Sequence, residues 1–432
     1  MRKNKFLSNL SWTLIAKTLQ MIIQLIVGML MARYLGPTGY GTINYVAAYV
    51  TFATSIVQLG LNGVIVKEFC DNPEEESVIL GTAIRLRLIL GLISAISVVA
   101  IVVTVNPGDT TILYVSILES IALLFAGFDS INYWYQAHQE LKYSAIIQLC
   151  AYLVVAIYKI ALLILQADVF LFAFSSSLDV IVLAALYFLS FKKKSSLKLG
   201  FSLKKAKLML KKSYPFLVAG IMIIVYQQVD KIMLGKMLDT TQVGYYSSVT
   251  TICNMWSIVP IALLDVMRPM VMQAKGKDEK LYQKRLTETF CSLIYLTVFF
   301  SIAVTIFAKL IIWILYGESY LIAAQTLRIV VWYCAFAYIG SGRSVYLICE
   351  GKNKYAQVFC AWGAVIDIAL NWLLIPRFGI NGAAFATLIT HIFSDFIIPG
   401  LYRETRGYCK YVVHGLFGGR MIMAEISQIK GK

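Results

Sequence analysis

The residues that could do chemistry in this chain are the few ionisable ones set inside long apolar runs. Four cations (Lys17, Lys159, Lys231 and Arg343) and at least seven acids (Glu119, Asp129, Asp179, Asp230, Asp265, Asp367 and Asp395) lie in such runs, as does His391. A charge at the centre of a bilayer costs about 2.5–3.5 kcal/mol on insertion scales, so each needs a partner, a polar cavity or a task. Their chemistry is recognition rather than bond making. Ammonium and guanidinium groups suit phosphate, amides suit sugar hydroxyls, and carboxylate or imidazole suits a proton or a cation.

In the first run Thr13, Lys17, Gln20 and Gln24 recur at helical spacing and form one polar stripe. Two readings of Lys17 stand together: lining a cavity, or snorkelling its amine to the inner surface. Asp230 and Lys231 are adjacent on a helix and so point about 100° apart. One can pair with a neighbouring helix while the other faces a substrate path. Lys159 corresponds, in the internal repeat described below, to Asn371, one turn beyond Asp367. Arg85 opens the third run beside Arg87, and Arg343 lies near the inner end of the tenth; there, guanidinium forks could take a diphosphate bidentately. The candidate translocation residues are therefore Lys17, Gln20, Gln24, Arg85, Lys159, Asp230, Lys231, Arg343, Asp367 and Asn371. Candidates for proton or ion coupling are Glu119, Asp367, His391 and Asp395. The last two stand one turn apart, as a titrating pair or a plain intrahelical hydrogen bond would.

Enzyme chemistry has no foothold. There is no P-loop, no HExxH and no paired carboxylate at an exposed helix end. Eight cysteines show no CxxC spacing and only three histidines exist, so neither a metal nor a cofactor is expected.

The elements that must carry these residues are apolar segments long enough to cross a bilayer, which takes about 20 residues. Twelve are read, near 9–32, 43–65, 88–105, 112–135, 144–166, 168–191, 214–236, 244–267, 287–308, 321–347, 356–376 and 380–402. Hydrophobic residues make up 59% of the 432 and charged ones only 14%, well under the ~25% of soluble domains. This excludes a disordered or disulfide-stapled chain. The net charge of +16 would suit nucleic acid in a soluble protein, but its distribution points elsewhere. With the N-terminus inside, 30 of the 39 Lys and Arg fall in cytoplasmic segments, five outside and four within spans. That bias places both termini in the cytoplasm and anionic lipids, rather than nucleic acid, beside the lysines. Tyr133-Trp134-Tyr135 is read as part of an interfacial aromatic belt.

The segment 192–213 holds nine lysines and no acid. It reads as a basic cytoplasmic linker between two six-helix lobes, 1–191 and 214–402, with a cytoplasmic tail at 403–432. A weak repeat at a shift of about 203–212 residues sets Gln24 on Gln227 and Lys142-Tyr143 on Lys354-Tyr355. An even number of helices per lobe makes this a parallel repeat, and such lobes around a central cleft are a transporter architecture.

The run Ala32-Arg33-Tyr34-Leu35-Gly36-Pro37-Thr38-Gly39-Tyr40-Gly41 resembles the polysaccharide (O-antigen type) flippases of the multidrug/oligosaccharidyl-lipid/polysaccharide exporter superfamily. Asp230-Lys231-Ile232-Met233-Leu234-Gly235, Val243-Gly244-Tyr245-Tyr246, Tyr316-Gly317-Glu318-Ser319-Tyr320 and Gly379-Ile380-Asn381-Gly382-Ala383-Ala384 are similar too. The resemblance implies an all-α integral membrane protein in a bacterial cytoplasmic membrane. It also implies export of a lipid-linked oligosaccharide for surface polysaccharide, alongside a polymerase and glycosyltransferases of the same pathway. A cation-coupled drug exporter of the same superfamily is the alternative. Such exporters often place an acid on the first helix, where this chain has Lys17.

Overall fold

The computed structural model describes residues 2–195 and 197–418, with side chains from Lys17 onward. Among these residues all regular structure is helical. The chain divides into two compact units, Met1–Lys236 and Met237–Lys432.

The first unit opens with α1 (Arg2–Gln58), two helical limbs joined at Gly36, where φ is 66° and ψ is 178°. The link between the limbs is thus a single-residue break. Glycine alone adopts this backbone freely, and Pro37, with its fixed φ and no N–H, restarts the helix behind it. Then follow α2 (Asn62–Asp71), α3 (Glu76–Val105), α4 (Thr110–Phe125), α5 (Ser130–Ala137), α6 (Leu141–Ile164), α7 (Val169–Lys194) and α8 (Leu203–Met237). A short 3₁₀ turn, Ala126–Asp129, joins α4 to α5 so that the pair makes one crossing. Asp109 starts α4 in the manner of an N-cap, its carboxylate accepting from the Ile112 N–H at 2.9 Å.

Helices α1, α3, α4, α6 and α7 pack on one another. Their core at one end holds Phe69, Ile84, Tyr133, Trp134, Tyr135 and Tyr187. The aromatic triplet is therefore not a belt. Tyr135 is fully buried and bonds Ser190 at 2.6 Å, while the Trp134 indole N–H donates to Glu76 at 3.0 Å. The 3₁₀ turn ahead of α5 directs the rings inward, and each buried polar tip finds a partner.

At the same end Glu68, only 1% exposed, accepts hydrogen bonds from Lys212 at 2.5 Å and Lys205 at 3.2 Å. Lys205 also pairs with Glu75. Burial works against the Glu68 charge, but the two lysine hydrogen bonds outweigh it and hold the carboxyl below its usual range. Two of the nine linker lysines are thus clasped to α2 rather than left to the headgroups.

The second unit comprises α9 (Thr240–Trp256), α10 (Ile258–Lys275), α11 (Glu279–Tyr316), α12 (Ala323–Cys349), α13 (Lys354–Phe378), α14 (Ile380–Ile392), α15 (Ile398–Leu401) and α16 (Gly407–Phe417). A π-helical turn, Phe393–Ile397, joins α14 to α15. Helix α16 folds back onto α11 and is too short to span a bilayer.

Among the described residues ten helical stretches are long and apolar enough to cross a membrane. One of them contains both limbs of α1, and α12 stands outside the ten. The crossing elements are then twelve: the limbs of α1, α3, α4 with α5, α6, α7, α8, α9 with α10, α11, α12, α13, and α14 with α15. The chain is an all-α, multi-pass membrane protein.

Candidate functional site

In the first unit the polar stripe of α1 meets α5 and α6. Lys17, Gln20, Asn132, Gln136, Ser144 and Gln148 line a cavity of about 140 Å³. Its wall is ordered by a small network. The Ser144 hydroxyl donates to the Asn132 amide oxygen at 2.6 Å and lies 2.8 Å from the Tyr187 hydroxyl, to which Gln148 donates at 2.9 Å. Gln24 is exposed one turn further along α1, and Thr13 lies outside the residues whose side chains are described. The cavity offers one ammonium, several amides and a hydroxyl, and no carboxylate lines it. Such a set suits a phosphorylated, hydroxyl-rich ligand. Asn132, Gln136, Ser144 and Gln148 were missed by sequence reasoning; their only signal is a set of polar residues where two apolar runs meet.

A second group sits on α4, α6 and α7. Glu119 is 1% exposed, and neither carboxylate oxygen has a hydrogen-bond partner among the described residues. Lys159 interacts electrostatically with both Glu119 and Asp179. The lysine therefore answers two acids on neighbouring helices, which the sequence of its own helix did not reveal. Ser177 holds α7 against α4 by donating to the Leu118 carbonyl at 2.5 Å and accepting from the Ala122 N–H at 3.0 Å.

The two arginines that open α3 part company. Arg87, 1% exposed, is tied to Ser130 at 3.2 Å, Asn62 at 2.9 Å and the Gln58 carbonyl at 3.2 Å. It staples the second limb of α1 to α3 and α5. Arg85 is exposed on the other side of α3. On α8 Asp230 is 4% exposed and Lys231 partly buried, and the two interact electrostatically.

In the second unit the structure joins Arg343, expected separately, to the pair His391 and Asp395. His391 Nδ1 lies 2.7 Å from Asp395 Oδ2, and Arg343 Nη1 reaches Asp395 Oδ1 at 3.2 Å and the Ser394 carbonyl at 2.6 Å. Tyr408 donates to the Asp395 carbonyl at 2.8 Å, and Tyr333 stacks on the His391 ring at 5.0 Å. The π-turn makes this possible, since a wider turn leaves backbone carbonyls open to side-chain donors. Gly340 provides the space: a Cβ there would collide with the Asp395 carboxylate. Next to this cluster Thr390 donates to Asp367 at 3.2 Å, and Asp367 and fully buried Asn371 share a face of α13. The arrangement can hold a proton or a small cation among carboxylates, or lock three helices together. Tyr333 and Tyr408 carried no sequence signal, because neither is near His391 in the chain.

The family model "Polysaccharide biosynthesis protein" matches residues 6–275, and a second, MatE, matches residues 215–373. Among curated proteins none matches in sequence. Among solved structures the chain is similar to "Lipid II flippase MurJ, inward closed conformation", with 16% identity and a TM-score of 0.72 over 94% of this chain and 90% of that one. It is also similar to a multidrug resistance MATE family transporter of the MOP superfamily in an inward-facing conformation, at 12% identity and a TM-score of 0.68, covering 95% and 96%. A MOP superfamily transporter from Pyrococcus furiosus gives 12% identity and a TM-score of 0.63, covering 98% and 96%. At these identities the likeness concerns the fold. The first family model runs through more than half of the chain, and the protein belongs to the polysaccharide biosynthesis protein family.

Proposed function

We propose that the protein is a flippase. It moves a polyprenyl-diphosphate-linked oligosaccharide from the inner to the outer leaflet of a bacterial cytoplasmic membrane, for surface polysaccharide such as O-antigen, capsule or exopolysaccharide. Transport proceeds by alternating access of two six-helix lobes, 1–191 and 214–402, with residues 192–213 and both termini in the cytoplasm. No covalent chemistry is involved. The protein supplies a polar path for sugar and phosphate while the lipid tail stays in the bilayer. A polymerase and glycosyltransferases of the same pathway act before and after it.

The observation that carries this reading is the cavity of Lys17, Gln20, Asn132, Gln136, Ser144 and Gln148. A cation among neutral hydrogen-bonding groups fits an anionic glycolipid and offers a cationic drug nothing. The family match and the fold shared with a lipid II flippase agree with it. Lys17 takes the phosphates; Gln20 and Gln24 carry the polar path along α1. Lys159, Asp230, Lys231, Asp367 and Asn371 are further path residues.

A second reading, a cation-coupled multidrug exporter, draws on the Glu119 carboxylate, which accepts no hydrogen bond among the described residues, and on the Asp367 and Asp395 group. Deleting the gene separates the two. The flippase reading requires lipid-linked repeat units to accumulate in the inner leaflet and surface polymer to vanish, in a strain with no other flippase. Persistence of the polymer together with sensitivity to cationic dyes favours the exporter.

A further inference from the structure

Arg85 lies on an exposed face of α3. Arg85, Ile89, Leu92 and Ile96 recur every three to four residues and are all exposed, Ile96 at 64%. The stripe leads into a groove of about 480 Å³ between α3 and α4, walled by Leu92, Ala95, Ile96, Val99, Ile117 and Ile121. The groove has a local cause. At Gly91 the two helices touch so closely that a Cβ would collide with the Leu123 carbonyl, and at Gly127 one would lie 2.9 Å from the Ile84 carbonyl. From this contact the helices diverge, and small Ala95 and Ala100 leave the gap unfilled.

At the end nearer Arg85 the linker is pinned to α3. Gly200 N–H donates to the Ser77 carbonyl at 3.1 Å, Ser202 N–H to Thr82 at 3.2 Å, and Ser77 bonds the Lys198 carbonyl. This brings Phe201 under the Arg85 guanidinium, 5.5 Å from it, and the Leu199 carbonyl to 3.4 Å. Those contacts orient the fork and use one of its five donors. Lys198 and Lys204, which flank Phe201 in the chain, are exposed. Leu197, Phe201 and Leu203 are 39%, 45% and 62% exposed. Apolar side chains interleaved with lysines are what a segment lying in the headgroup plane presents.

We infer that this face is a binding site for an anionic glycerophospholipid: its phosphate sits at Arg85 between Lys198 and Lys204, and an acyl chain runs along Ile89 and Leu92 into the α3–α4 groove. The spacing is suitable. Leu92 stands about 10 Å along the axis from Arg85, at about 1.5 Å per residue. Charge complementarity selects an anionic headgroup over a zwitterionic one, since each nearby Lys or Arg favours acidic lipid. The site is separate from the Lys17 cavity, which lies among α1, α5 and α6. It therefore stands whether or not the transported molecule is a glycolipid.

The test is native mass spectrometry of the full chain released from mixed micelles. These contain equal amounts of phosphatidylglycerol, phosphatidylcholine and undecaprenyl phosphate. Phosphatidylglycerol should be retained several-fold over phosphatidylcholine. Arg85→Gln should reduce that retention several-fold, as should Ala100→Trp, which fills the groove from its exposed rim. Lys193→Gln, an exposed lysine elsewhere, should not. Arg85→Gln is a surface change and should leave the melting temperature unaltered, so loss of retention there is not loss of fold. Equal retention of the two phospholipids, or indifference to both groove variants, overturns the assignment. So does undecaprenyl phosphate displacing phosphatidylglycerol with the same dependence on Arg85, which would make the groove a seat for the carrier lipid.

Discussion

Asp395 divides its carboxylate between two helices: Oδ2 lies 2.7 Å from His391 on its own helix, and Oδ1 lies 3.2 Å from Arg343 on α12. Both partners are at most 9% exposed. Removing one member of a buried ion pair strands the other, at a cost of about 3–5 kcal/mol. Asp395→Ala should therefore destabilise the protein far more than Arg343→Met combined with Asp395→Leu, where no charge is left behind. Thermal unfolding in detergent of the single and double variants checks this. A double variant less stable than Asp395→Ala would contradict it.

The same contact makes Gly340 sensitive to size. Gly340→Ala would set a methyl against the Asp395 carboxylate, and overpacking of this kind costs about 1–3 kcal/mol. A melting temperature several degrees lower is expected, whereas Gly28→Ala, with no atom within 4 Å of the added Cβ, should change little.

Much of the second unit's cluster was legible in the sequence, but only along single helices. The i, i+4 spacing of His391 and Asp395 predicted their contact, as it predicted the polar stripe of Lys17, Gln20 and Gln24. What spacing along one helix cannot encode is the facing helix. Arg343 reaches Asp395 from α12, Tyr408 from a segment read only as tail, and Lys159 meets acids on α4 and α7. Tyr133 to Tyr135 failed as a belt for a related reason. Belt and core both favour amphipathic rings, and the turn that buries them is set by the 3₁₀ residues before α5. The number of crossings was readable because a bilayer imposes length and apolarity on every span.

The Glu68 clasp predicts a pH dependence. Its folded carboxyl titrates below the ordinary value because Lys212 and Lys205 outweigh the effect of burial. The stability it provides is therefore complete above the ordinary carboxyl range and is lost as pH falls through the lower folded value. Glu68→Gln should lower stability by about 1–3 kcal/mol at neutral pH, the worth of a charged hydrogen bond. The difference from the parent should shrink as the medium is acidified below pH 4.5, the ordinary value of the group. A difference that grows on acidification would be contrary to this sign.

The proposed topology is open to labelling. On a background without the eight native cysteines, Cys at Lys193 should react with an impermeant maleimide only in inverted vesicles, and Cys at Thr111 only in intact cells. The reverse pattern would turn the whole arrangement over.

Lys17 is the residue on which the functional account depends. A diphosphate carries about two negative charges, and each gains roughly 2.3 kcal/mol per 100 mV on crossing outward from a negative interior. Proteoliposomes holding a fluorescent polyprenyl-diphosphate oligosaccharide measure leaflet exchange directly, by quenching of the outer-leaflet label. Exchange should accelerate under an inside-negative potential. Lys17→Gln should weaken binding at least ten-fold while the voltage dependence is largely kept. No exchange of the glycolipid, with uptake of a cationic dye driven by a pH gradient alone and abolished by Glu119→Gln or Asp367→Asn, would contradict the flippase reading.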